Sequence, residues 1–170
     1  MTSQTVVTFG LGSVLFALPV APVVEIIDAR EAAPLPRAPA CLLGLIDRRD
    51  MSVPVVDMRL LLGQPPREDS DDTRIVVLTL REAPRRQAVG LRVDRVIEVT
   101  ELDADGAAPL AEAELLNWHE RMVAGIGRRE GAFVTLLDVE GLFAGTLDGL
   151  ALPAGAPATE APASEAVLPA

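Results

Sequence analysis

An all-β fold, mainly strand with short helices and arranged as two similar five-stranded barrels, is what this 170-residue sequence predicts. Three observations carry that reading: two blocks recur in the same order, strand-period alternation dominates inside them, and few stretches carry helical periodicity. The clearest repeat sets GLIDRRDMSVPVVD at 44–57 against GIGRREGAFVTLLD at 125–138, 81 positions on, with no insertion. Gly44 falls on Gly125, Arg48 on Arg129, Val53 on Val134 and Asp57 on Asp138, with Val55 and Val56 on Leu136 and Leu137. An earlier pair, FALPVAPVVEI at 16–26 and VGLRVDRVIEV at 89–99, aligns Val20, Val23 and Glu25 with Val93, Val96 and Glu98. Two copies fall short of the three or more repeats of a solenoid, so the pattern predicts two modules.

In chain order, Gln4 to Phe9 reads as a strand, and GLGS at 10–13 as the turn that closes a hairpin. Phe16, Leu18 and Val20 then alternate, as one buried face of a strand requires. The hairpin of the repeat follows, and its Asp57 precedes the short apolar run MRLLL. An aspartate there accepts the N–H groups that a helical turn leaves orphaned, so Asp57 and its counterpart Asp138 are expected as structural N-caps, not acid/base groups. QPPREDSDD at 64–72 is an acidic, solvated linker between the copies. RIVVLTL at 74–80 opens the second copy as a β-branched strand, 81–86 with Pro84 turns, and Val89, Leu91 and Val93 alternate in their turn. Ala111 to His119 is expected as a short helix leading into the last strands. Five short strands in about 70 residues suit small barrels, because closure removes the strand edges that otherwise pair with other chains. One domain over 1–147 is expected, with copies at about 1–66 and 67–147 and strand exchange between them allowed for; 148–170 is Ala/Pro-rich, aperiodic and expected to be disordered.

Composition narrows the function. A net charge of −10 repels phosphate backbones, and no basic aromatic stripe offsets it, so nucleic acid is not expected as a partner. The single cysteine, Cys41, allows no disulfide framework and suits a reducing cytoplasm. The most apolar stretch, 14–27, is broken by Pro19, Pro22 and Glu25 and is shorter than the roughly 20 residues of a membrane span, so no direct membrane insertion is expected. No catalytic residue, metal or cofactor is predicted. His119 is the one histidine, no lysine exists to complete a phosphate loop, and Asp69, Asp71 and Asp72 lack the spacing of a calcium loop.

The remaining signal is a knot of four charges, Asp47, Arg48, Arg49 and Asp50, between Ile46 and Met51. It reads either as a solvated turn or as a recognition loop, since a guanidinium offers a planar fork to carboxylates and carbonyls. LPRAPACLLGLIDRRDMSVPVVDMRLLLG at 35–63, then TRIVVLTL, VGLRVDRVIEV and VTLLDVEGLF, together resemble the CheW family of chemotaxis coupling proteins, with its L-P-x-x-P, N-L-R-G, P-V-V-D and G-x-x-V-D-x-V pattern. The resemblance implies two five-stranded SH3-like barrels around a shared hydrophobic core. It also implies a cytoplasmic adaptor, recruited to membrane receptor arrays, that links chemoreceptor cytoplasmic tips to the regulatory domain of a CheA-type histidine kinase. Within it, Arg49 takes the place of the family's turn arginine, Val23 and Glu25 the V-x-E strand beside the inter-barrel groove, and Arg74 with Ile75 the strand across from it: the receptor-binding set. Asp47, Arg48 and Asp50 flank the turn as departures from Asn, Leu and Gly, the last where φ > 0 favours glycine. The same scaffold would serve a chemosensory-like pathway controlling second-messenger synthesis or pilus motility, and a small-ligand protein using the inter-barrel groove is the reading from another class.

Overall fold

The computed structural model describes residues 3–80, 87–103 and 122–144. The turn read at 81–86, the helix read at 111–119 with Trp118 and His119, and the tail 148–170 lie outside the described residues. The elements are β1 (Ser3–Leu11), β2 (Val14–Pro19), β3 (Val23–Asp28), β4 (Leu42–Arg48), β5 (Met51–Asp57) and α1 (Met58–Leu61) from the first half. The second half gives β6 (Arg74–Leu80), β7 (Gln87–Val93), β8 (Arg95–Asp103), β9 (Val123–Arg129), β10 (Ala132–Leu137) and α2 (Val139–Ala144).

Two five-stranded sheets result, ordered β8-β1-β2-β10-β9 and β3-β6-β7-β5-β4. Replacing every strand by its counterpart in the other half turns one order into the other. The sheets are therefore not the stretches 1–66 and 67–147: each draws strands from both, and a cut near residue 66 divides both. The crossings are short. Pro19 ends β2 and Val20 to Pro22 carry the chain to β3 in the other sheet, while Asp94 alone separates β7 from β8. Pro19 lies opposite Val6 at the end of β2, and Val20 N–H still donates to the Thr5 carbonyl of β1 at 3.0 Å before the chain leaves the sheet.

Registers repeat as well. Val7 pairs with Leu18 and Val76 with Leu91, and the bulge of β1–β8 between Thr8 and Phe9 returns in β3–β6 between Val23 and Glu25. In the hairpins, Leu42 faces Val56 and Gly44 faces Val55, just as Val123 faces Leu137 and Gly125 faces Leu136, each across one bulge. The parallel contacts correspond too: Val55 lies beside Gly90 in one sheet, Leu136 beside Ala17 in the other.

Alternation sorts the side chains into three cores. Ile75 and Val77 of β6 point into the second sheet's interior with Ile46, Val53 and Val55. Val6, Ala17, Leu102 and Val134 fill the interior of the first. Between the sheets lies the shared core, to which the opposite face of β6 gives Val76, Leu78 and Leu80 and the N-terminal hairpin gives Phe9 and Phe16, stacked at 5.5 Å. Strand β6 is thus buried on both faces, which is why its sequence is a nearly unbroken β-branched run.

Candidate functional site

The β4–β5 loop has two residues, Arg49 and Asp50, with φ of 51° and 64°. A two-residue hairpin loop takes positive φ at both positions because that backbone twist matches the strands it joins. The β9–β10 loop does the same with Glu130 and Gly131, at 52° and 84°. Neighbouring arginines at the first tip then take opposite roles. Arg48 folds back, and its Nε donates to Glu25 Oε2 on β3, across the seam between the sheet's two end strands. Arg129 does this in the second hairpin, with Nε 2.6 Å from Glu98 Oε2 on β8, so one ion pair bridges each seam. The second sheet's end strand is held further by the segment after β3, where Ala33 and Leu45 exchange backbone hydrogen bonds at 2.8 and 2.9 Å.

Arg49 is left outward, its side chain 77% exposed and its Nη2 4.0 Å from Glu25 Oε1. Asp47 and Asp50 are exposed beside it, and the Asp47 carbonyl accepts from Arg30 Nη1 at 3.1 Å. The tip thus offers a guanidinium fork on a backbone fixed by its turn and braced by Arg48–Glu25.

The other residues of the expected receptor set are spread along the β3–β6 pair. Arg74 lies opposite Asp28, with Nε 3.6 Å from Oδ1, and its Nη1 donates to the Asp71 carbonyl at 2.7 Å. Val23 sits at the far end of β3 against Leu78, half-buried and packed on the shared core. Ile75 needs correcting as a contact residue. It is 0% exposed inside the second sheet, because alternation turns it inward between Arg74 and Val76, and it can support the site only through packing. The structure therefore brings together Asp47, Arg48, Arg49, Asp50 and Glu25, and leaves Val23 and Arg74 at opposite ends of β3.

Asp57 begins α1 and its Oδ1 accepts the Arg59 N–H at 2.9 Å, the geometry of an N-cap. Its other oxygen takes a bond of 3.1 Å from Arg92, and both side chains are buried. Around them, Arg59 Nε donates to Asp94 Oδ1 at 2.8 Å, Arg67 Nη1 reaches Asp94 Oδ2 at 3.0 Å, and Arg92 Nε reaches Asp69 Oδ1 at 2.8 Å. The linker 64–72 is thus not simply solvated, for Arg67 and Asp69 pin it over the junction of the sheets. The hydrogen bond from Arg59 pulls the Asp94 carboxyl from 3.8 to about 2; burial opposes this, and the Gly12 N–H and Arg67 add to it. Asp138, the counterpart of Asp57, begins α2 with its carbonyl accepting from Leu142 N–H at 2.8 Å, and its side chain is exposed. Among the described residues no three His, Cys, Asp or Glu side chains converge as a metal would need, and no helix is long and apolar enough to cross a membrane.

A family model of the CheW-like domain matches residues 5–146. The chain belongs to the CheW family. It is similar to the chemotaxis protein CheW of Helicobacter pylori, at 26% identity over 132 residues, 78% of this chain and 76% of that protein. A probable chemotaxis protein CheW of Rhizobium etli is 28% identical over 145 residues, 84% of this chain and 89% of its own length. The crystal structure of the scaffolding protein TtCheW from Thermoanaerobacter tengcongensis superposes with a TM-score of 0.76 at 24% identity, covering 91% of this chain and all of that one, and so shares the fold.

The CheW pattern led to Arg49 but not to the pairs Arg48–Glu25 and Arg129–Glu98. A signal for them was present. Glu25 and Glu98 match in one repeated block and Arg48 and Arg129 in the other, so a pair joining the blocks recurs in both copies. The Asp57–Arg92–Asp69 and Arg59–Asp94–Arg67 groups carry no such signal, because only the Asp57 position repeats its residue type in the second copy.

Proposed function

We propose that this protein is a non-enzymatic adaptor that couples chemoreceptor cytoplasmic tips to the regulatory domain of a CheA-type histidine kinase, in the cytoplasm at membrane-bound receptor arrays. Membership of the CheW family supports the adaptor role. The observation that carries the receptor face is the outward Arg49 guanidinium on a turn held by Arg48 and Glu25. A pre-set backbone lets the fork meet a carboxylate or carbonyl with little ordering cost, and the seam pair keeps Glu25 from drawing it fully back. Asp47 and Asp50 set the local charge of that tip, and Val23 and Arg74, at opposite ends of β3, lie apart from it.

Arg49→Glu tests the assignment. The folded variant is expected to lose about 2 kcal/mol, roughly thirtyfold, in titration against a receptor cytoplasmic fragment and to keep its affinity for the kinase regulatory domain. Circular dichroism checks folding, since an exposed substitution changes stability by only about 0.5 kcal/mol. Unaltered receptor affinity in a folded variant rejects Arg49 as the contact.

A further inference from the structure

The two hairpin tips share a backbone and carry opposite charge, and each is tied to the arginine beside it in a different way. In the second half Arg129 stands between two carboxylates: its Nε donates to Glu98 Oε2 on β8 at 2.6 Å, and its Nη1 lies 3.1 Å from Oε2 of Glu130 at the tip itself. That tip is neutralised from within. In the first half a single carboxylate, Glu25, stands before two guanidinium groups, and Arg48, its side chain only 16% exposed, holds Oε2. Arg49 is left with the other oxygen at 4.0 Å, past hydrogen-bond reach, and among the described residues neither Asp47 nor Asp50 forms an ion pair with it.

We propose that Arg48 is a positioning residue for this tip: by taking Glu25 for itself it denies Arg49 an internal carboxylate, and so selects a partner surface that supplies one. The inference deepens the receptor reading above and rests on it, for it names the group opposite Arg49 as an acidic side chain, not a neutral carbonyl. Its physics is a competition. The Arg48–Glu25 pair is mostly shielded from solvent and is screened less than a pair at the exposed tip, while a second guanidinium brought onto the same carboxylate meets the charge of the first. Arg49 therefore gains little by turning inward. A guanidinium without a counter-ion of its own gives up hydration on docking and recovers it best from a carboxylate, whose two oxygens match its fork. With an apolar side chain at position 48, Arg49 would be the one cation left to Glu25 among the described residues, and the first tip would pair inward as the second does.

The full chain, labelled with nitrogen-15, gives an Nε–Hε signal for Arg49 that is identified by its absence from Arg49→Glu. In Arg48→Leu the hydrogen exchange of that signal is expected to slow about fivefold, as it does when Arg49 spends about four-fifths of its time on Glu25. Arg48→Lys keeps a cation on Glu25 and leaves the exchange as in the parent, and adding Glu25→Gln to Arg48→Leu restores it. Against a receptor cytoplasmic fragment, Arg48→Leu should bind about fivefold more weakly, and in an Arg49→Glu background the same substitution should change affinity by less than about twofold. Arg49→Gln, which still donates hydrogen bonds but carries no charge, should lose about tenfold, and parent affinity there would mean that the tip meets a carbonyl. An Arg49 signal unmoved by Arg48→Leu, or moved as far when Glu25 is replaced, overturns the proposal, and so does an affinity loss of equal size with and without Arg49, the mark of a merely structural seam residue. If Arg49→Glu itself leaves receptor affinity unaltered, the receptor reading falls, while the exchange measurement still decides the role of Arg48.

Discussion

Arg49 stands at the first hairpin tip where Glu130 stands at the second, and Arg92 bonds Asp57 in the first half where the counterparts in the second are Pro19 and Asp138. Yet the ladders around these positions agree down to their bulges. The difference teaches where such a fold is constrained. Interior positions must alternate and pack, so valines and leucines recur in both copies. A hairpin tip has only to tolerate positive φ, and a sheet junction has only to satisfy whatever charge it encloses. Charge therefore diverged at the tips and junctions, while the two ion pairs across the seams stayed.

The largest effect should come from breaking the first half alone. A Cβ on Gly44, whose φ is 141°, would lie 2.0 Å from the Ala33 carbonyl oxygen, so Gly44→Ala must force the segment after β3 away from β4. About 4 kcal/mol of stability is expected to be lost in urea unfolding, and a loss under about 1 kcal/mol would show that the segment yields freely. Next come Asp57 and its counterpart Asp138 as a pair. Asp57→Ala removes a cap and leaves Arg92 buried with one fewer counter-charge and should cost about 3 kcal/mol, whereas Asp138→Ala changes an exposed side chain and should cost about 1 kcal/mol or less. Equal losses would erase the distinction between the bonded and the exposed aspartate.

A pH effect of about 2 kcal/mol should follow from Asp94, whose counterpart is Ala21. The folded state holds its carboxyl at about 2 against an ordinary 3.8, so it is the stronger acid when folded. The stability this confers is full above about pH 4 and disappears as pH falls toward 2. Asp94→Asn should flatten that part of the stability curve, and an unchanged slope would mean that the Arg59 contact does not persist in solution. The smallest effect belongs to the turn itself. Asp50→Gly relieves a non-glycine φ of 64° and should add about 0.5 to 1 kcal/mol, while Gly131→Asp should remove a similar amount from the other tip.

Much of this architecture was legible in the sequence because strands announce themselves locally. Gly44 to Asp57 could be laid on Gly125 to Asp138 without a gap, and the structure keeps that alignment residue for residue through both hairpins. The family pattern named the fold. Strand exchange was allowed for, but its partners could not be read, since a strand's own alternation does not say which neighbour it pairs with. The family pattern puts Ile75 in the receptor-binding set, although the apolar run around it points to burial on both faces. Arg92 and Asp57 were illegible as a pair: they lie far apart in sequence, and Arg92 occupies the position between Leu91 and Val93 that alternation assigns to solvent. The linker supplies its cover, and no periodicity encodes that.

One backbone plan carries two tips, and the proposed function has only the first, through Arg49, meet the receptor. Exchanging the charges in a single chain, Arg49→Glu together with Glu130→Arg, leaves the net charge and both turns unaltered. Titrated against the same receptor fragment, this exchanged protein should bind about thirtyfold more weakly than the parent, because the guanidinium has the right chemistry in the wrong place. Affinity equal to the parent's would contradict the account, showing that either tip serves or that neither does.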